Sequence, residues 1–337
     1  MINIDIALLT LNEEKYLDRC ITSVINFEIP DNVVTNIYII DGGSTDKTLD
    51  IANSYIKKNK NIVILDNVKK IQSSAMNILI LEGKGEYILR LDAHTVFEKD
   101  YLSNCLETSL RTDADNVGGI LNTLPGSGSY GAKVVQALSS HPFGVGNSGF
   151  RIGAQEGPVD TVPFGFFKRS IFSKIGNFNE KLLRAQDYEF NRRIIKSGGT
   201  IWLNPKIKAD YYNQPSLVDF FRKIFFLEAP YNAYMWFFAP YTFSIRHSIT
   251  VLFFLGCVGG TVLGYFFYQI YLIFSSVMIL YFLLALISSI QLTKRHKEMR
   301  HILVLPITFF FFHFIHGMGI VLGIKNILFR SIPKASG

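Results

Sequence analysis

Residues 34–58 read VTNIYIIDGGSTDKTLDIANSYIKK, an apolar run, a glycine turn and a helical pattern in succession. The run at 34–40 reads as a strand, and 46–58 as a helix for which Ser44, Thr45 or Asp46 can serve as cap. Working outward, strands are expected at 4–9, 62–65, 86–91 and 117–121, and helices at 14–26, 73–82 and 99–111. Strands alternating with helices imply an α/β domain with a mostly parallel sheet. Ligands of such sheets bind beyond the carboxyl ends of the strands. No fixed-period repeat is present.

The composition adds a second region. Of 337 residues, 49% are hydrophobic and 18% charged, below the usual ~25%. The mean hydropathy is +0.24. These values argue against disorder and against a wholly soluble protein. Stretches 249–267, 270–290 and 302–324 are each long and apolar enough to span a hydrocarbon core of ~30 Å as a helix. Residues 1–215 carry 24 basic and 24 acidic side chains, and 216–337 carry 10 and 3, so the net charge of +7 belongs to the last third. Charge flanking apolar runs points to an anionic membrane surface, not to nucleic acid.

The segment 216–248, rich in Phe, Tyr and Trp but broken by Arg222, Lys223 and Glu228, reads as interfacial and amphipathic. Domain packing is the alternative for 224–243. A basic tail fills 325–337. Lys294, Arg295, Lys297 and Arg300 in the loop 291–301 place that loop, and with it residues 1–215, in the cytoplasm. Lys325, Arg330 and Lys334 run against that rule, so the third stretch is either re-entrant or escapes it. The opening MINIDIALLTLNEEK lacks the pattern of a signal peptide. Cys20, Cys105 and Cys257 form no CxxC, which excludes a disulfide framework and a zinc site of that type.

The expected strand ends hold the polar residues. The first ends at Thr10-Leu11-Asn12-Glu13-Glu14, the second at Asp41-Gly42-Gly43-Ser44. Caps explain Ser44 and Asp46; an acid at the last strand position, Asp41, suits a ribose hydroxyl or a base N–H. Neither GxGxxG nor GxxxxGK[ST] occurs, which removes the dinucleotide and P-loop readings. The fourth strand ends Leu89-Arg90-Leu91-Asp92-Ala93-His94. Alternation puts Asp92 and His94 on one side of an extended chain, where they can share a divalent cation or simply form a capped turn. Asp187 stands where a helix through 196 begins, as an N-cap or as a general base.

In order, TLNEE, DGGSTDKT, LDAH and RAQDYEFNRRI resemble the inverting glycosyltransferases of family 2, which have the GT-A fold. The resemblance covers residues 3–215. KKIQSSAMN (69–77), VDTVPFGFFKRSIFSKIGNFNE (159–180), GGTIWLNP (198–205) and the closing HFIHGMGIVLGI are similar to the membrane-anchored exopolysaccharide subgroup, of the succinoglycan-biosynthesis type.

The resemblance implies a GT-A catalytic domain over 1–215. Thr10, Asn12, Glu14 and Asp41 would line the nucleotide, and Lys70 and Gln72 fall in a stretch that contacts it. Asp92 and His94 match the metal motif, usually Asp-x-Asp. The softer imidazole favours Mn2+ over Mg2+. Asp187 matches the catalytic base, and Arg222 loosely matches a phosphate-binding residue. Processive synthases of the family carry Gln-x-x-Arg-Trp, whereas Gln214 here is followed by Pro215-Ser216-Leu217-Val218. Addition of a single sugar is therefore expected.

The implied enzyme is a multi-pass protein of the cell membrane with its catalytic domain in the cytoplasm. It moves a hexose-type sugar from a nucleotide-diphosphate sugar, UDP-sugar favoured, to a polyprenyl-diphosphate-linked glycan in exopolysaccharide or related cell-surface synthesis. The enzyme rival glycosylates polyprenyl phosphate directly. A non-catalytic membrane scaffold is opposed by the intact Asp41, Asp92 and Asp187. A transporter rests only on His313 and His316, for which pairing between helices is the simpler reading. His296, His301, His313 and His316 cross a membrane boundary, which argues against a metal cluster. The Gly-rich stretches in 120–160 read as loops, either closing on donor and acceptor or lying plainly at the surface.

Overall fold

The computed structural model describes residues 1–333, the side chains of 246 and 247 excepted, so the end of the tail, with Lys334, lies outside the described residues. The chain divides into two units. The first holds Met1–Asn122 and Gly153–Tyr212, the second Thr123–Ile152 and Asn213–Ile332. Residues 123–152 thus belong with the apolar helices, a division that differs from a single boundary at 215.

The first unit is built on one sheet. Its strands are β1 (Ile2–Thr10), β2 (Val33–Asp41), β3 (Ile62–Asp66), β4 (Tyr87–Asp92), β5 (Thr95–Phe97), β6 (Asn116–Leu124), β7 (Gly157–Pro158), β8 (Phe166–Lys168) and β9 (Ile201–Tyr212). The order is β3-β2-β1-β4-β8-β6-β9-β5, with β7 beside β9. The block β3-β2-β1-β4 is parallel. β8 lies antiparallel to β4 and β6, as do β5 and β7 to β9. β1 is buried without a break from Ile4 to Thr10, as a central parallel strand covered on both faces must be.

The register fixes the site. Thr10 pairs with Asp41, Asp41 with Asp66, and Leu9 with Asp92, so the polar ends of four strands meet at one carboxyl edge. Helices Leu17–Ile25, Thr48–Ile56, Gln72–Glu82 and Tyr101–Thr112 follow the first four parallel-block strands or their extensions, close to the expected ranges. Helix Gln186–Lys196 is held from behind by an aromatic cluster. Phe190 is fully buried and stacks on Phe178 at 4.3 Å and Phe172 at 5.2 Å between ring centroids. Burying one such ring contributes ~1.5–3 kcal/mol.

In the second unit the Gly-rich stretches 125–131 and 141–152, expected as loops, are partly helical. Ser129 caps Tyr130–Leu138 by accepting from the Ala132 amide, and short helices follow at Pro142–Val145 and Gly149–Ile152. Among the described residues three helices are long and apolar enough to cross a membrane: Ser248–Phe266, Tyr268–His296 and His301–Leu328. They coincide with the three expected spans, and the last runs through Pro306. His313 pairs with Tyr281 at 2.7 Å and His316 with Thr250 at 2.7 Å, so each links two helices.

The aromatic segment is helical from Leu217 to Phe238, with a π-helical turn at Ile224–Glu228. It lies lengthwise along His301–Leu328. Phe220 and Ile224 cluster with Leu305, Phe309 and Phe312, and farther on Ala229 and Ala233 meet Ile320. Gly319 and Gly323 permit the contact: a Cβ on Gly323 would stand 2.6 Å from the Pro230 carbonyl oxygen. Val218, Phe226, Leu227 and Phe237 remain exposed on this segment. Cys20, Cys105 and Cys257 are free and buried.

Candidate active site

The turn after β2 is closed by Asp41 itself. Its Oδ2 accepts from the Gly43 and Ser44 amides, each at 2.8 Å. Its Oδ1 accepts from the hydroxyls of Ser44 at 2.5 Å and Thr10 at 3.1 Å. Asp41 is only 3% exposed. Its place at the strand end therefore has a local cause that the sequence did not reveal: the carboxylate holds the turn. Gly43 takes φ +79°, a left-handed conformation that suits glycine.

The loop after β1 is knitted to that turn. Asn12 Oδ1 accepts from the Thr45 amide at 2.8 Å, and the Asn12 amide donates to Ser44 Oγ at 2.9 Å. Glu14 Oε2 accepts from the Lys47 amide at 3.2 Å, and the Glu14 amide donates to Asp46 at 3.1 Å. Lys70 lies beside the same turn, with its Nζ 3.6 Å from where a Cβ on Gly43 would stand. Asn12, Lys70 and Ala185 all have left-handed backbones, at φ 56°, 58° and 61°. For a residue with a Cβ this costs roughly 1–2 kcal/mol, and such strain gathers at functional sites.

At the end of β4 the centre of the cluster is Arg90, which the sequence reading passed over. It is 2% exposed. Its Nη2 donates to Asp92 Oδ1 at 2.8 Å and its Nη1 to Asp187 Oδ2 at 2.6 Å. Gln72 Oε1 receives a bond from Gln186 Nε2 at 2.5 Å and a longer one from Arg90 Nη2 at 3.5 Å. Gln72 is thus turned into the carboxylate cluster. The only sequence signal was an arginine at a strand position flanked by Leu89 and Leu91.

Asp187 is the second residue of its helix; the preceding position before Gln186 is Ala185, so Asp187 is not the N-cap. Burial pushes the Asp187 carboxyl above its ordinary range, against the pull of the Arg90 guanidinium.

His94 lies in a turn between β4 and β5, so the extended-chain alternation expected for Asp92 and His94 stops at Asp92. Its Nδ1 meets Glu13 Oε1 at 3.2 Å, and its ring packs edge-on against Tyr211 at 5.2 Å. Burial lowers the His94 pKa, but the Glu13 hydrogen bond, Tyr211 and Asp92 outweigh it and bring it to about 9.

The donor set fits a divalent cation held partly by substrate. Asp92 Oδ2 takes part in none of the described hydrogen bonds, and the described His94 bond uses Nδ1, leaving Nε2. A histidine ligand commonly gives its other nitrogen to a carboxylate, as His94 does to Glu13. Among the described residues no group of three or more His, Cys, Asp or Glu assembles for a metal. Two protein donors plus diphosphate oxygens and water are what Mg2+ and Mn2+ sites of this type use. Arg222 sits in the second unit, on helix Leu217–Lys223.

Residues 5–176 match Glycosyl transferase family 2. The chain is 30% identical to the dolichyl N-acetyl-alpha-D-glucosaminyl phosphate 3-beta-D-2,3-diacetamido-2,3-dideoxy-beta-D-glucuronosyltransferase of Methanococcus voltae, covering 95% of this chain and 97% of that one. It is 31% identical to the succinoglycan biosynthesis protein ExoA of Rhizobium meliloti (strain 1021), over 64% of each chain. Among solved structures it is similar to the mannosyltransferase PcManGT from Pyrobaculum calidifontis in complex with GDP-Man and Mn2+. That likeness has a TM-score of 0.60 at 13% identity, covers 96% of this chain and 87% of the other, and is one of fold. The sheet and its polar edge define a GT-A-like fold. With a family match over half its length and a relative matched nearly end to end, this chain belongs to glycosyl transferase family 2.

Proposed function

We propose that the protein transfers a single sugar, with inversion, from a nucleoside-diphosphate sugar to a polyprenyl-linked glycan at the cytoplasmic face of the cell membrane. The observation that carries this reading is Arg90, whose one guanidinium gathers Asp92 and Asp187 at the strand edge where such folds bind nucleotides. The three long apolar helices and the relative named for a dolichyl-linked substrate support a lipid-linked acceptor.

Asp187 acts as general base. It takes the proton of the acceptor hydroxyl as that oxygen bonds to the anomeric carbon from the face opposite the nucleotide. The bond from that carbon to the diphosphate oxygen breaks, and its electron pair leaves with the nucleoside diphosphate. Asp92 and His94 would hold a divalent cation, Mn2+ or Mg2+, which when bound neutralises the charge growing on the diphosphate. Glu13 orients His94. Thr10, Asn12, Glu14 and Asp41 shape the nucleotide-facing turn, with Asp41 acting through Ser44 and Gly43, and Lys70 supplies a cation beside it. The absence of Arg-Trp after Gln214 supports one addition per encounter. The aromatic segment 217–238, with its exposed Val218, Phe226, Leu227 and Phe237, is assigned to the membrane interface.

The test is mass spectrometry of lipid products. Detergent-purified protein is given polyprenyl-linked sugars, Mn2+ or Mg2+ and a panel of nucleotide sugars, beside Asp187→Asn. One added sugar mass, absent with the variant, is the expected result. A monosaccharide on polyprenyl monophosphate would move the assignment to the direct polyprenyl-phosphate reaction, and equal product from both proteins would remove Asp187 as base.

A further inference from the structure

We propose that Arg90 is the positioning residue of the reaction centre: it clamps Asp92, on the donor side, to Asp187, on the acceptor side. The two carboxylates come from segments 95 residues apart in the numbering, yet each bonds a different nitrogen of one fork, at 2.8 and 2.6 Å. A planar guanidinium fixes both distance and angle, which an ammonium cannot do for two partners at once. Arg90 is 2% exposed and so sheltered from water, while Asp187 keeps 34% of its side chain open towards an acceptor.

A second tie reaches the same helix. Arg90 Nη2 is 3.5 Å from Gln72 Oε1, which also accepts from Gln186 Nε2 at 2.5 Å, one residue before Asp187. Gln186 itself is 4% exposed, and the strained Ala185 precedes it. Asp187 is therefore aimed by a side-chain fork and by the anchored start of its helix. Arg90 lies within the cluster without needing to touch either substrate. Its cost is that a cation beside Asp92 opposes a metal ion there. Removing it has opposite effects on the two halves of the reaction, which a merely structural arginine would not show.

This assignment rests on Asp187 as base and on Asp92 as a cation ligand. The experiment measures Mn2+ affinity by electron paramagnetic resonance, with UDP or GDP present, and kcat by sugar transfer, in full-length protein. Arg90→Met is expected to lower kcat at least 100-fold while Mn2+ binds three- to tenfold more tightly. Arg90→Lys, which keeps the charge but loses the fork, is expected to lose kcat by a similar factor with Mn2+ affinity near that of the unaltered protein. Gln72→Leu leaves both ion pairs in place and keeps the test open should the Arg90 variants not fold; a five- to tenfold loss of kcat with Mn2+ affinity unchanged is expected. Parallel weakening of Mn2+ binding and kcat in Arg90→Met, or kcat within threefold of the unaltered protein in Arg90→Lys, overturns the clamp. Asp187→Asn run alongside separates the two ideas. Activity retained there removes the base reading, whereas activity lost there but retained in Arg90→Lys removes the clamp alone.

Discussion

If His94 holds a cation as proposed, its pairing with Glu13 makes that binding depend on pH in a calculable way. The His94 imidazole, raised to about 9, is a cation at neutrality and must release its Nε2 proton before that nitrogen can hold a metal. Below about 9 the proton competes; above it competition ends. Apparent Mn2+ affinity, with UDP or GDP present, is therefore expected to rise about tenfold per pH unit, or ~1.4 kcal/mol, from pH 7 upward and to level off near 9. Over those two units the gain is about 100-fold, or ~2.7 kcal/mol. The window starts above the second phosphate ionisation at ~6, so nucleotide titration adds little. The perturbation is His94→Asp, which restores the family's acidic pattern with a ligand already ionised throughout; its profile should be flat. The assay is Mn2+ titration by electron paramagnetic resonance or calorimetry, with proton release read from buffers of different ionisation enthalpy. A flat profile for the unaltered protein, or the same slope in His94→Asp, would refute direct coordination by His94.

Other outcomes follow from the same geometry. Asp187→Asn should cut kcat by ~10²–10⁴, the range for losing a general base, with donor KM little changed in steady-state assays. Because burial raises the Asp187 carboxyl despite Arg90, and only the ionised form accepts a proton, activity in the unaltered protein should fall on acidification at a pH above the ordinary Asp range; a pH–rate profile reads this limb. Ala185→Gly should stabilise the protein by ~1 kcal/mol, since φ 61° carries a penalty only for a residue with a Cβ, and thermal melts in detergent would show it. Gly317→Ala should destabilise by ~1–3 kcal/mol, because its Cβ would stand 2.1 Å from the Thr250 carbonyl oxygen in the neighbouring helix; a lowered melting temperature is the readout.

Much of the fold was legible because its signals are local. The apolar run through Val33–Asp41, the glycines after it and the periodicity of Thr48–Ile56 lie within two dozen residues. The three membrane-length helices show in plain hydropathy. What escaped was decided by partners distant in the chain. Arg90 is explained only by Asp187, 97 residues on, and Glu13 only by His94, 81 residues on. Asp187 read as an N-cap or a base because an acid at a helix start suits both, and only the backbone at Ala185 separates them. Tyr130–Leu138 was hidden by glycines on its N-terminal side, although Ser129 is an ordinary cap. The position of Asp41 is legible at the end of its strand, but of its four bonds three go to the turn and one comes from Thr10 on another strand.

Those four bonds have a further consequence. A turn whose carboxylate is already saturated keeps its shape before any nucleotide arrives, and the strap from Asn12 and Glu14 holds its outer side. Little freedom is then left to lose on binding, so affinity need not be spent on ordering the chain. On the proposed function the same rigidity makes the turn a gauge: a nucleotide whose base or ribose differs in outline would be refused, because the lip cannot yield to accommodate it. Donor choice would then be altered by recutting residues around this turn, and loosening it should lower affinity for every donor alike.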